Sequence, residues 1–423
     1  MMNLPITHRN VIGNVAVLFS NSAISQGLTA FALLLTARAL GARTFGQYAA
    51  CFALTGILSV GFNLGLDTWL LREGARAQAK YSELVGSVFA IKILAGGIWM
   101  LLILGLARIL DQQTFPPRLL ILCAFSVWMD GLLLTALAAF KASLRNKFTL
   151  ILESTSDGIW FAGTLLLFLA GNRAADTYVL LRVLVLVLAV LAGFLLVRLY
   201  IGMSAKMSTA RYAVSATKPF AVSDFLAFAS MRLDVTIVAL TIGEFFVGLY
   251  SPAVSITNAL YLIPNAVYLV MVPVLSKLFE SDIEQAWATA RRFTWALLGI
   301  GLLSFALLAI GARPLVSLLG ESYRSSVPIL QILSLILLFK SITFAMAGIL
   351  VATGLQARRT VVQGIAVLFN AALNLIVVYR FGINGVAVVY VLTEIILLAG
   401  YFWLVQGLRN TSSPMATDLN PGQ

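Results

Sequence analysis

The sequence is short of charge. Asp, Glu, Lys and Arg make up 11% of its 423 residues, against about 25% in soluble globular domains. It has one histidine, His8, and two cysteines, Cys51 and Cys123. A single histidine ahead of the first apolar run removes His-based catalysis and most zinc chemistry. Both cysteines fall within apolar runs, which argues against a disulfide framework. There is no GxxxxGK[ST] phosphate loop, no HExxH and no GxSxG, so the common signatures of ATP hydrolysis, zinc proteolysis and serine hydrolysis are absent. The reading is of a non-enzyme without metal or cofactor.

What fills the chain is apolar sequence. Mean hydropathy is +0.96 and 60% of residues are apolar. The apolar residues come in blocks of roughly 20 or more, enough to cross a bilayer core of about 30 Å as helices. Twelve such spans are expected: 11–40, 47–68, 84–110, 119–140, 149–170, 178–200, 220–242, 247–275, 293–312, 327–353, 361–379 and 383–406. The first is too long for a cleaved signal peptide and is expected to stay as a membrane helix. The expected fold is an all-α integral membrane protein.

The formal net charge of +12 could point to nucleic acid, but its distribution points to topology. With the N-terminus inside, 17 Lys and Arg residues fall in inner segments, 8 in outer segments and four within spans. Such a bias places both termini in the cytoplasm and offers some attraction to anionic lipid head groups.

Two segments echo each other. Gly41, Phe45, Gly46 and Tyr48 stand between spans one and two, in an expected tight outer turn. Gly243, Val247, Gly248 and Tyr250 repeat the spacing 202 residues later, between spans seven and eight. A second echo sets Leu144, Lys147 and Thr149 against Leu355, Arg358 and Thr360, at an offset of 211. Duplication of a six-span unit gives parallel repeats about an axis along the membrane normal. The expected division is a first lobe over 1–200, a cytoplasmic linker over 201–218, a second lobe over 219–408 and a disordered tail over 409–423. The two lobes are expected to be pseudo-symmetric about a central cavity.

Ionisable groups inside a bilayer cost about 2.5–3.5 kcal/mol each on insertion scales and are functional candidates by default. Lys92, Asp130, Arg232, Asp234, Lys340 and Glu394 fall near mid-depth. Asp157 is slightly shallower, Asp224 and Glu153 lie nearer the cytoplasm, and Arg182 nearer the outside. A hydrated cavity between lobes would collect groups from so many helices. In span seven, at 100° per residue, Arg232 and Asp234 lie about 160° apart. One is expected to face the cavity and the other a neighbouring helix. Glu153 and Asp157 are spaced i, i+4, either sharing a proton or cation or forming a cluster with Lys147. Span one carries a polar stripe of Asn14, Asn21, Ser25, Thr29 and Thr36, with Ser22 and Gln26 alongside, that lines a watery path or bonds another helix. Gly61 and Gly65 make a GxxxG of little weight. Pro252, Pro264 and Pro273 in span eight allow bending, and mark either a moving element or a static kink.

The run ARALGARTFGQYAACFALTGILSVGFNLGLDTWLLREGAR, from Ala37 to Arg76, resembles the start of the Wzx-type oligosaccharide and polysaccharide flippases of the multidrug/oligosaccharidyl-lipid/polysaccharide exporter superfamily. Arg232-Leu233-Asp234, Val247-Gly248-Leu249-Tyr250-Ser251 and Pro273-Val274-Leu275-Ser276 are similar to that family's middle region. Asn370, Asn374, the turn from Phe381 to Ala387, and Glu394 look like its last two spans. The resemblance implies two six-helix lobes and alternating access. It also implies transfer of an undecaprenyl-diphosphate-linked glycan, such as an O-antigen, capsule or exopolysaccharide unit, to the outer leaflet of a bacterial inner membrane. Lys92, Arg232 and Lys340 become expected contacts for diphosphate or sugar acid, with Asn21 and Ser25 lining the path. Asp224, Asp234, Glu394, Glu153 and Asp157 become coupling or sugar-binding candidates. The implied partners are the lipid-linked glycan, membrane lipids, and the polymerase or export machinery of the pathway. Alternatives are a cation-coupled multidrug exporter and, less favoured, a membrane glycan polymerase. The short outer loops speak against the polymerase.

Overall fold

A chain this apolar must satisfy every backbone N–H and C=O within its own segments, and a helix does so. The computed structural model describes residues 8–74 and 80–412; the side chains of residues 8–24, 219 and 410–412 lie outside it. Asn14, Asn21, Ser22, His8, Arg76 and the tail beyond 412 are therefore outside the described residues or side chains.

The chain folds as α1 (His8–Leu58), α2 (Val60–Asn63), α3 (Leu66–Gly74), α4 (Tyr81–Ile109), α5 (Pro117–Ala142), α6 (Asn146–Leu169) and α7 (Ala175–Tyr200). Then come α8 (Met207–Ala216), α9 (Lys218–Thr241), α10 (Glu244–Leu260), α11 (Leu262–Ser281), α12 (Ile283–Ser317), α13 (Val327–Ala352) and α14 (Gln356–Ser412), with a 3-10 turn at Glu321–Ser326 before α13. No strand occurs among the described residues. Among the described residues eight segments are long and apolar enough to span a bilayer. Two of these, in α1 and α14, are hairpins of two spans each, and the more polar α6 and α9 add two more. Twelve crossings result.

The hairpins fold at single glycines. Gly41 has φ 71° and ψ 167°, and Gly382 has φ 57° and ψ −151°. Gly243, at φ 88° and ψ −179°, makes the same turn between α9 and α10. This corner of backbone space is essentially closed to other residues. The expected turn over Gly41 to Tyr48 thus shrinks to one residue, and Arg43 to Tyr48 are already helical.

The second echo is also refined. The turn after α5 ends in Leu144 at φ 57°, and the turn after α13 in Gly354 at φ 77°. The Arg145 amide donates to Phe140 O, and the Leu355 amide to Leu350 O. Both are Schellman closures. They superpose at an offset of 210, so the sequence echo was one residue out of register.

Two spans are broken. Span two stops at Leu64 (φ 49°) and Gly65 (φ 68°), which separate α2 from α3. Span eight divides at Tyr261, three residues before Pro264, whose ring excludes the normal helical bond to Leu260. The segment between lobes holds helix α8 instead of being all loop. It is tied down by a Lys206–Glu83 ion pair of 2.5 Å and by the Ser204 amide bonding to Ser82 O.

Candidate functional site

A cavity of about 260 Å³ lies between the halves. The first half contributes Thr29, Tyr48, Asp130, Trp160 and Arg182; the second contributes Phe228, Arg232, Ser251 and Ser255. Toward the α8 face it continues, through Asn63, Leu134 and Phe228, into a vestibule of about 270 Å³ that reaches Asp67, Thr68, Lys141 and Asp224.

At the opposite face the halves meet tightly. A Cβ on Gly46 would stand 1.7 Å from Glu244 O, and a Cβ on Gly248 would stand 1.7 Å from Ala42 O. Ala42 and Glu244 are themselves 202 residues apart, so the two contacts are one contact and its pseudo-symmetric copy. Glu244 is buried and draws three groups from the first half. Arg43 pairs with it at 3.3 Å, Gln113 donates at 3.1 Å and Thr114 at 3.4 Å. The loop carrying Gln113 and Thr114 is shaped by Asp111, which accepts from both backbone amides and from the Thr114 hydroxyl. Those bonds hold the Asp111 carboxyl below its ordinary range.

Arg232 and Arg182 differ in their company. Arg182 pairs with Asp157 at 3.3 Å and Asp130 at 3.6 Å, and its guanidinium lies 4.2 Å from the Trp160 ring centre. Asp157 also accepts from Ser25, so this cluster ties α1 to α6 and α7. The Arg232 side chain is exposed to the cavity and makes no hydrogen bond or ion pair among the described residues. Asp234, two residues on, points away from the cavity, is 3% exposed and accepts from Tyr250 Oη at 3.0 Å.

Lys92 is placed elsewhere. It is fully buried, and its ammonium donates to Asp67 at 2.5 Å and to Gly131 O at 2.9 Å. It lines none of the cavities described here; Asp67, held also by Thr135 at 2.7 Å, does. Asp67 is the residue that sequence reasoning missed, because it falls at the edge of an apolar run. The break at Leu64–Gly65 is what sets its position. Lys92→Met should strand the Asp67 carboxylate and destabilise the fold by about 3–5 kcal/mol. Lower membrane protein levels and melting temperature would report it, and Asp67→Asn in the same chain should recover part of the loss. A Lys92→Met protein as stable as the parent would show the pair to be dispensable.

Glu153 and Asp157 share a helix face but not a partner: Glu153 pairs with Lys141 at 3.3 Å. Asp224 accepts from Thr68 at 3.3 Å across the vestibule. Lys340 and Glu394 pair at 3.0 Å within the second half, where Asn374 donates to Asn370 and Asn370 to Thr393. Gly65 has structural weight after all. A Cβ there would stand 2.5 Å from the backbone of Phe220 and Ala221 on α9. Among the described residues no cluster of three or more His, Cys, Asp or Glu side chains could hold a metal.

Residues 35–328 match the model of a family described as "Polysaccharide biosynthesis protein". No curated protein matches the chain. Its fold is similar to that of a multidrug resistance MATE family transporter of the MOP superfamily in its inward-facing conformation. That likeness has a TM-score of 0.77 and 14% identity, over 92% of this chain and 96% of the other. It is also similar to the lipid II flippase MurJ in an inward closed conformation, with a TM-score of 0.73 and 16% identity over 92% and 87%. A MOP superfamily transporter from Pyrococcus furiosus gives 0.67 and 13% over 94% and 95%. At these identities the likeness is one of fold.

Proposed function

The chain belongs to the polysaccharide biosynthesis protein family, and from that premise we propose that it moves a diphosphate-lipid-linked oligosaccharide across a bacterial inner membrane by alternating access. In this reading the α8 face is cytoplasmic, in keeping with the excess of Lys and Arg expected on that side. The vestibule admits the substrate and the glycine crossing closes the outer end. The observation that carries the proposal is Arg232. An arginine with no direct ion pair among the described residues, open to a cavity between two lobes, is a receptor for an anion that arrives from outside the fold. Arg182 has its charge taken up by Asp130 and Asp157 and serves as a positioning group. Ser25 acts through Asp157. The cavity therefore offers one guanidinium not engaged in a direct ion pair among the described residues, suited to a diphosphate and not to a densely charged glycan.

The test is the sidedness of the lipid-linked glycan in a deletion strain. Accumulation on the cytoplasmic leaflet, relieved by the intact gene, is the expected result. Normal sidedness without a surface-glycan defect, in a strain lacking redundant flippases, would overturn the proposal.

A second reading is favoured by Asp234. A buried carboxylate held by a tyrosine hydroxyl, with no ion pair among the described residues, suits a proton- or cation-coupled small-molecule exporter. Drug sensitivity on deletion with surface glycan intact would support that reading.

A further inference from the structure

A groove that shares no lining residue with the central cavity lies mainly in the second half, with Gln26 of α1 and Ser230 of α9 at its edge. Along α10 and α11, Asn258, Tyr261, Asn265 and Tyr268 recur at steps of three, four and three, which keeps them on one face. Lys340 and Phe344 face them from α13, and Gln363 from α14. Two cavities, of about 310 and 250 Å³, share Asn265, Lys340, Phe344 and Gln363 and so form one continuous space. A side pocket of about 60 Å³ runs from Lys340 to Glu394.

The charge in this groove is partly paired. Lys340 is taken by Glu394 at 3.0 Å, and Arg359 at the α8 end donates to Tyr268 Oη at 3.4 Å, fixing that ring. Apart from Arg359, which has no ion pair among the described residues, the polar wall that remains is amide and phenol. Each amide offers a donor and an acceptor side by side, the pattern presented by adjacent sugar hydroxyls. Tyrosine rings offer flat apolar faces with a polar tip. One buried atom here, Glu394 Oε1, has no hydrogen-bond partner among the described residues, and Tyr261 Oη faces the Tyr390 hydroxyl. An unfilled buried polar atom of this kind calls for a hydroxyl-bearing ligand or water. A polyphosphate would need several free cations, and a lipophilic cation a free acid on an apolar wall.

We propose that this groove is a glycan subsite that binds neutral sugar units. The assignment rests on the glycan reading above and deepens it: the lipid diphosphate would sit at Arg232 while the sugars extend into the second half. Its test is saturation-transfer NMR on the full-length protein in lipid nanodiscs, with free glucose, galactose and N-acetylglucosamine as probes. Transfer to at least one sugar is expected, falling more than fivefold in Asn265→Ala and separately in Gln363→Ala. These truncations at a cavity wall add no volume, and the melting temperature of each variant is read alongside. No transfer to any of the three, or transfer unchanged in either variant, would overturn the subsite. So would tetraphenylphosphonium binding that depends on Asn265 when no sugar binds, which would move the weight to drug export. The two readings separate cleanly. Sugar transfer that depends on both amides, in a protein whose deletion leaves glycan sidedness normal, keeps the subsite and sinks the flippase. Altered sidedness with no sugar transfer does the reverse.

Discussion

Arg232→Ala should stop relocation of the lipid-linked glycan while the protein still accumulates in the membrane. The two halves of that expectation have separate causes. The fold survives because the Arg232 side chain holds no described partner, so its removal orphans nothing. Transport fails because charge-assisted hydrogen bonds are worth about 1.5–3 kcal/mol, roughly ten- to a hundredfold in affinity for the anion. Arg232→Lys should recover only part of the activity, since an ammonium keeps the charge but loses the two-pronged donor geometry. Lys340→Ala makes the contrast. It leaves Glu394, 2% exposed, without its cation, so export and protein level should fall together. The measurement is the fraction of glycan-lipid on the cytoplasmic leaflet at matched protein levels. Undiminished relocation in Arg232→Ala would remove the arginine from the mechanism.

Most of the fold was legible because a bilayer leaves a sequence few choices. Twenty apolar residues must be a helix, and the count of such blocks is the count of crossings. The fine structure was less legible where one backbone angle decides it. The α1 hairpin turns on Gly41 alone, and sequence spacing could not tell a one-residue corner from an eight-residue turn. Helix α8 escaped notice because its ten residues are too few and too polar on average to register as a span, although their apolar period is strong. The offset of the second echo was misread because Leu144, in a left-handed conformation that glycine usually takes, stands where the other half has Gly354.

The site was readable within a helix and not between helices. Asp224, Arg232 and Asp234 on α9 fix their own azimuths, so the opposition of Arg232 and Asp234 followed from 100° per residue, while which of them meets the cavity did not. Lys92 shows the opposite limit. Its depth in the bilayer could be estimated, but its partner comes from α3 and its direction was open. Glu153 and Asp157 likewise share a face yet pair with Lys141 on α5 and Arg182 on α7. The amides of the second-half groove drew no attention because an amide costs less to bury than a charge. The seven-residue step from Asn258 to Asn265 was the available signal.

Gly46→Leu should hold the protein open at the face where α1 and α10 cross, and abolish transport. Even the first added carbon would sit 1.7 Å from Glu244 O, well inside the 3.5–4.0 Å of an optimal contact. The obstacle is backbone, which cannot rotate aside. The helices must therefore part by roughly 2 Å or more to reach ordinary contact, and Arg43, Gln113 and Thr114 lose their hold on Glu244 as they do. The lobes themselves are untouched, since both partners in the contact lie on the seam between them. Pseudo-symmetry sharpens the expectation: Gly248→Leu meets Ala42 O at the same 1.7 Å and should give the same phenotype, with the double variant little worse than either. Cysteine labelling can read the open state. A cysteine at Ser255, on the cavity wall, should react with a membrane-impermeant maleimide added from outside in either leucine variant and stay protected in the parent. Cys51 and Cys123 are fully buried and contribute little background. Protection unchanged in both variants, with glycan still exported, would mean that the crossing is a packing contact within a static wall. Labelling in one variant only would break the symmetry on which the closure is argued.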